Sequence, residues 1–178
     1  MIFSILGGAL VCAACGLFGL YMAHRGVVRA RRLGEFGQSL MMLKSEIEFA
    51  ACPLPQAFAN ISQKTSGSLA KFYEDLSRRL TGKEMGLAQA WKMGLTELRT
   101  ANGRPYGGHW HTDDLQAVSG LGSALGSIDD VVQIKAINTS AAAIDDILAR
   151  LTAQNAKDGK MYKRLGLLGG ALITIVLL

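Results

Sequence analysis

MIFSILGGALVCAACGLFGLYMA, residues 1–23, contains no charged side chain. As one helix it would rise about 35 Å, against a bilayer core about 30 Å thick. His24 and Arg25 follow at once, then Arg29, Arg31 and Arg32. A charge-free run with a basic exit is the pattern of a transmembrane helix whose cytosolic end carries the arginines. A secretory signal peptide would place its positive charges before the apolar core and a small-residue cleavage site after it, the reverse of this order. A buried helix of a soluble domain is the other alternative, and 23 uncharged residues exceed its usual length.

Working outward, the charge distribution repeats the same theme. The 178-residue chain carries a net charge of +5, which on its own would suggest nucleic acid. The excess is confined to two short cuffs. Residues 25–32 hold four Arg and no acid, and residues 157–164 hold Lys157, Lys160, Lys163 and Arg164 against Asp158. Between them, residues 33–156 carry 11 Lys and Arg against 13 Asp and Glu. Nucleic-acid binding needs a basic face on the folded domain, and that is missing. Basic cuffs beside apolar runs instead report topology and contact with anionic membrane lipids. Beyond the second cuff, residues 165–178 are again uncharged. Their 14 residues reach about 21 Å, and snorkelling of Lys163 and Arg164 brings the segment close to a full span. The expected organisation is a membrane helix over 1–24, a cytosolic bundle over 25–160 and a second membrane helix over 161–178. The positive-inside rule then puts the protein in the cell membrane, with both termini outside and most of the chain cytosolic.

The middle of the chain is written in helical stripes. Leu33, Phe36, Leu40, Leu43, Ile47 and Ala50 step by three and four, and Pro53 and Pro55 end the run. Leu54, Phe58 and Ile61 form a short second stripe, punctuated by Ser66 and Gly67. Leu69, Phe72, Leu76 and Leu80 form a third, closed by Gly82. Leu87, Trp91, Leu95 and Leu98 form a fourth, closed by Asn102 and Gly103. After a loop over 102–112, Leu115, Val118, Leu121 and Leu125 predict a shorter helix. Ser127 is the expected N-cap of the last helix, with Asp129 and Asp130 in its first turn. Ile134, Ile137, Ala141, Ile144, Leu148 and Leu151 then form the longest stripe, expected to pack near Leu33–Ala50. No segment alternates with period two for long enough to be a strand. The fold class is all-α, a compact helical bundle between two terminal membrane helices.

Few stretches carry chemistry. Cys12 and Cys15 have the spacing of a redox or metal pair. Inside an apolar helix they read instead as small packing residues, with Gly16 and Gly19 beside them. Gly166 and Gly170 make a similar pair on the C-terminal segment. Gly120, Gly122 and Gly126 resemble a phosphate loop, but no strand precedes them and no Lys-Ser or Lys-Thr follows, so helix packing is the better account. His109, His111 and Asp113 are the candidate metal ligands, all in one glycine-rich loop with no ligand from a distant element. The bland alternative is a solvated loop whose Thr112 or Asp113 caps the next helix. Trp91, within a leucine stripe, reads as core. Lys44, Glu46 and Glu48 read as a solvated face or a partner surface. The Asp pairs at 129–130 and 145–146 read as helix start and solvated face. No nucleophile has a neighbouring base, and no cofactor motif is present.

The stretches just described, in their order, resemble one family. Met42-Leu43 through Glu46-Ile47-Glu48 into Pro53-Leu54, then Ala90-Trp91 with Leu95, then Leu121-Gly122 through Leu125-Gly126 to Asp129, and finally Lys160-Met161-Tyr162-Lys163-Arg164-Leu165-Gly166 with Gly169-Gly170, are similar to stage III sporulation protein AB. The resemblance implies a non-enzymatic, integral-membrane platform subunit of a channel between mother cell and forespore, on the mother-cell side. Its helical domain is similar to the inner-membrane platform proteins of type II secretion and type IV pili, which carry two copies of that domain where this chain has one. The implied partners are a cytosolic ATPase, stage III sporulation protein AA by analogy, other channel subunits, and a second copy in a homo-oligomer. The rival readings are a membrane-tethered metalloenzyme using His109, His111 and Asp113, and a lipid-anchored or secreted protein with a cleaved N-terminus.

Overall fold

The computed structural model describes residues 26–50, 52–82, 85–99 and 110–177, with only the backbone described over 158–177. Every regular element among the described residues is a helix. Helix α1 covers 26–48. It is followed by α2 (Leu54–Lys64), α3 (Gly67–Thr81), α4 (Leu87–Arg99), α5 (Thr112–Gln116), α6 (Leu121–Leu125) and α7 (Asp130–Leu177). The chain divides into two compact units, Arg32–Leu148 and Met1–Arg31 together with Ala149–Leu178.

In the larger unit the stripes become the core. Leu33, Phe36, Leu40, Leu43 and Ile47 of α1 are all buried. Ala50 is exposed, because α1 ends at residue 48 and Phe49 and Ala50 form a turn. Proline at the start of α2 costs nothing, since the first-turn N–H groups have no intrahelical acceptor. Thr65 closes α2 by bonding Ile61 O through both its N–H and its hydroxyl, at 3.0 and 2.9 Å. Gly67 then opens α3 with φ +64°, a left-handed backbone that a residue with a Cβ adopts only under strain. Helix α2 packs on α3, α3 on α4 and α4 on α6. The expected meeting of α1 and α7 is present. A Cβ on Gly37 would lie 3.3 Å from Ile144 Cγ2.

The interior is an aromatic cluster drawn from four helices and the segment ahead of α5. Phe36 of α1 meets Phe72 of α3 edge-on at 6.1 Å. Phe58 of α2 stacks on Tyr73 at 5.9 Å. Trp91 of α4 meets Phe72 at 5.2 Å and Phe58 at 6.3 Å. Trp110, just ahead of α5, meets Phe36 at 5.8 Å. Such edge-on and offset pairs add about 0.5–1.5 kcal/mol each beyond the area they bury.

Three local expectations need correction. Leu115 to Leu125 is not one helix but two short ones. Val118 O accepts Leu121 N–H at 3.2 Å and the Trp91 indole N–H at 2.9 Å, so the carbonyl serves a turn and a tertiary bond instead of continuing the helix. All four stripe residues are nevertheless buried. The cap of α7 is Asp129, not Ser127. Asp129 Oδ1 accepts Val131 N–H at 2.9 Å, while Ser127 braces the turn by accepting from Asp129 N–H and from Gln133 Nε2. Finally, Gly126 is not a close-approach glycine, since a Cβ there would meet only the backbone of its own turn.

The smaller unit is described over 26–31 and 149–177. Gly26 of α1 faces Asn155 of α7 so closely that a Cβ would lie 2.8 Å from Asn155 Cγ. Helix α7 is one unbroken element of 48 residues, running through position 160 to Leu177. Among the described residues no helix is long and apolar enough to cross a membrane. The charge-free stretch 1–23 lies outside the described residues. Among the described residues the architecture is therefore all-α, and none of the terminal membrane helices expected from sequence is shown there.

Candidate functional site

Buried polar groups mark where a folded chain gains specificity. Tyr73 and Ser39 are fully buried. Ser39 Oγ donates to Phe36 O at 2.6 Å and stands 2.7 Å from the Tyr73 hydroxyl, so the phenol donates to the serine. Burial pushes the Tyr73 phenol above its ordinary value, with the Ser39 bond opposing it, and the group stays a neutral donor. This relay is internal and its role is to join α1 to α3.

Two charged clusters tie helices together. Arg79 Nη2 on α3 bonds both carboxylate oxygens of Glu97 on α4, at 2.7 and 2.9 Å. On the opposite connection, Glu46 of α1 accepts from Asn60 Nδ2 at 2.9 Å and from Lys64 Nζ at 3.1 Å, both on α2. Those two bonds, Asn60 first, hold the Glu46 carboxyl below the usual carboxylate range. Glu46 is thus a brace between helices, with its side chain only 12% exposed, and not part of a freely solvated face. Glu48 is exposed and Lys44 half-buried.

The glycine-rich loop is outside the described residues up to His109. Its far end is anchored. Trp110 is buried in the aromatic cluster, with its indole N–H 3.4 Å from Ser68 Oγ. His111 and Asp113, on either side of the start of α5, are exposed, and Asp114 between α5 and the core is buried. No group of three or more His, Cys, Asp or Glu side chains among the described residues is placed to hold a metal ion. Asp129, Asp130, Asp145 and Asp146 are all exposed. Gly122, read from sequence as a packing residue, lies directly against Trp91. A Cβ there would sit 2.6 Å from Trp91 Cγ and closer still to its Cβ.

Of the basic cuffs, Arg29 and Arg32 are half-buried and Arg31 exposed along the start of α1, and Arg25 is outside the described residues. Lys160, Lys163, Arg164, Gly166 and Gly170 lie on the α7 backbone. Cys12, Gly16 and Gly19 are outside the described residues. Cys52 is a free, half-buried thiol.

Among the described residues, two of the open grooves on the larger unit lie against the short helices α5 and α6. One, of about 600 Å³, runs between α4 and α5 past Lys92, Leu95, Arg99, Thr112 and Gln116. The other, of about 430 Å³, runs between α6 and α7 past Ala117, Leu121, Val132, Lys135, Ala136 and Thr139. Near the second, Ile128, Val131 and Val132 are exposed, Ile128 completely. Sequence reading missed this patch and the burial of Trp110 and Tyr73. The available signal for the patch was three β-branched residues crowded around two aspartates at a helix start, outside the stripe of Ile134 and Ile137.

The comparisons with known proteins agree with one another. The sequence model of the family described as Stage III sporulation protein AB (spore_III_AB) matches residues 4–178. The curated Stage III sporulation protein AB of Bacillus subtilis (strain 168) is 24% identical over 179 residues, covering 98% of each chain. A solved structure of stage III sporulation protein AB matches in fold with a TM-score of 0.64, at 18% identity, covering 72% of this chain and 97% of that one. Since the family match runs almost from end to end, this chain belongs to the stage III sporulation protein AB family and so has a role in sporulation.

Proposed function

We propose that this protein is an integral-membrane platform subunit of a secretion-like channel between mother cell and forespore, without enzymatic activity of its own. The observation that carries the reading is the placement of charge. Two uncharged runs, 1–23 and 165–178, are each edged by a basic cuff, and between the cuffs the chain is close to neutral. Such cuffs resist translocation and so fix the part between them on the cytosolic side, here that of the mother cell. The arginines at 25, 29, 31 and 32, with Lys160, Lys163 and Arg164, would then hold the helical part against anionic head groups. Small residues at Cys12, Gly16 and Gly19 and at Gly166 and Gly170 would let the terminal helices associate by close backbone approach.

The helical part presents a cytosolic ATPase, by analogy stage III sporulation protein AA, with a rigid surface to work against. The Glu46–Lys64 pair braces α1 to α2 and the Arg79–Glu97 pair braces α3 to α4 for that load. Topology is the decisive test. Reporters fused after Leu178 and inserted in the 102–109 loop should report opposite sides of the membrane, the loop cytosolic and Leu178 external. A cytosolic signal from both removes the two-span platform. Co-purification of the full-length chain with the ATPase from sporulating cells tests the docking step, and its absence after in-cell crosslinking counts against it.

A further inference from the structure

The corner where α7 begins combines three features within 12 residues. Ile128, Val131 and Val132 stand in solvent, at 102, 72 and 44% of their full exposure. An apolar groove of about 430 Å³ begins beside them, walled by Val132, Ala136 and Thr139 on α7 and by Ala117 and Leu121 across from it. Two exposed acids, Asp129 and Asp130, precede Val131, and one exposed base, Lys135, lines the groove. The knob residue Ile128 thus precedes the helix whose Val132 and Ala136 wall the groove, with acids at one end and Lys135 toward the other.

We propose that this face pairs with the same face of a second copy of the chain, in an antiparallel crossing of the two α7 starts about a two-fold axis at Val132. A two-fold contact requires that residue i meet j and j meet i. Crossing at Val132 satisfies this in sequence register. Ile128 of each copy falls over Ala136 of the other, because each lies four positions from the axis. Asp129 falls over Lys135, each three positions from the axis, on both sides. The apolar knob enters the partner groove and Asp129 faces Lys135 at each rim.

Charge is what selects a second copy over other occupants. A lipid surface would meet two carboxylates directly beside the apolar knob, an unfavourable approach to anionic head groups. An unrelated protein would need to supply a groove, an acid pair and a base in the same order. The chain supplies all three to itself. The interface is small and its rim is solvated, so it belongs with weak, reversible contacts, and the charges set specificity and register more than affinity.

The test uses the full-length chain, with self-association read by sedimentation over about 1–100 μM, the range in which a modest contact titrates. Asp129→Lys puts a base opposite Lys135, and Lys135→Glu puts an acid opposite Asp129. Each variant alone then meets its own charge and should lose at least about tenfold in self-association. Mixed one to one, Asp129→Lys against Lys135→Glu restores opposite charge at both rims, and association should return to within about threefold of the natural chain. A variant that failed to fold would not be rescued by mixing, and association through the terminal segments would be blind to these charges. Ile128→Glu should abolish pairing in every combination. The proposal is overturned if the natural chain stays monomeric across that range, which would leave the face to a protein of different sequence or to lipid. It is equally overturned if the single variants pair as the natural chain does, or if their mixture pairs no better than either alone.

Discussion

Phe58, Phe72 and Trp91 on one side, and Ile128, Val131 and Val132 on the other, are strongly apolar groups within one folded unit under opposite conditions. The first set is completely buried, each ring 5–6 Å from the next, and the Trp91 indole also bonds Val118 O. The second set stands in water around a helix cap formed by Asp129. Apolar burial contributes about 25 cal/mol per Å², so an exposed isoleucine contributes nothing to the fold on its own. The comparison teaches that hydrophobic content alone does not locate the core. Position relative to the helical stripe does, and an apolar group off the stripe is free for something other than folding.

The sharpest way to break this contrast is at the centre of the aromatic cluster. Trp91→Ala removes the largest buried side chain, empties a cavity and leaves Val118 O without its indole donor. The expected loss is about 3–5 kcal/mol in a denaturant titration of the full-length chain, with the helical far-ultraviolet signal as readout. A loss below about 1 kcal/mol would mean that Trp91 is not core and would remove the basis for the contrast. Gly122→Ala tests the same contact from the other side. Its Cβ would press on Trp91 near the tryptophan backbone, where the side chain has least room to move, so overpacking should cost about 1–3 kcal/mol. Gly126→Ala, with only its own turn nearby, is the matched control and should cost less.

These residues also show how far the sequence could be read. Leu33 to Ile47 and Ile137 to Leu151 announced their buried faces by period alone, since a long amphipathic helix repeats its signal several times. Trp91 was legible for the same reason. Trp110 was not, because it lies in a segment with no period, between two histidines and after a run of glycines. Tyr73 was not legible either, because it lies one place off its stripe and its buried phenol depends on the tertiary hydroxyl of Ser39. The α5–α6 break depends on a carbonyl accepting from a tryptophan 27 positions earlier, which no local window contains. Candidate ligands His111 and Asp113 were legible as residues, but whether they gather is a matter of three-dimensional placement. Among the described residues no such gathering occurs.

A smaller effect separates braces from decoration. The Glu46 carboxyl is held below its ordinary value by Asn60 and Lys64. A depressed folded-state value stabilises the fold above the unfolded carboxylate value and loses that contribution as pH falls through the depressed one. The stability of the natural chain should therefore decline from about pH 5 downward, more steeply than that of Glu46→Gln. Chemical denaturation at pH 7 and at pH 3 measures both slopes. Equal acid sensitivity in the two chains would show that Glu46 is solvated, as its charge alone suggested.

The smallest expected effect is the most informative about the exposed corner. Ile128 is fully exposed and precedes the first residue of α7, so Ile128→Ser removes no intramolecular contact that the fold uses. Surface substitutions of this kind usually change stability by less than about 0.5 kcal/mol. The expectation holds only where the chain is dilute, because a contact made by the folded form alone raises apparent stability with concentration. Denaturation of the natural chain and of Ile128→Ser should thus coincide at low protein concentration and separate as concentration rises, with the natural chain becoming the more stable. A loss of more than about 1 kcal/mol at every concentration would place Ile128 in the core of its own chain and erase the distinction from Trp91. Coincidence at every concentration would keep the distinction but take the second copy away from this face.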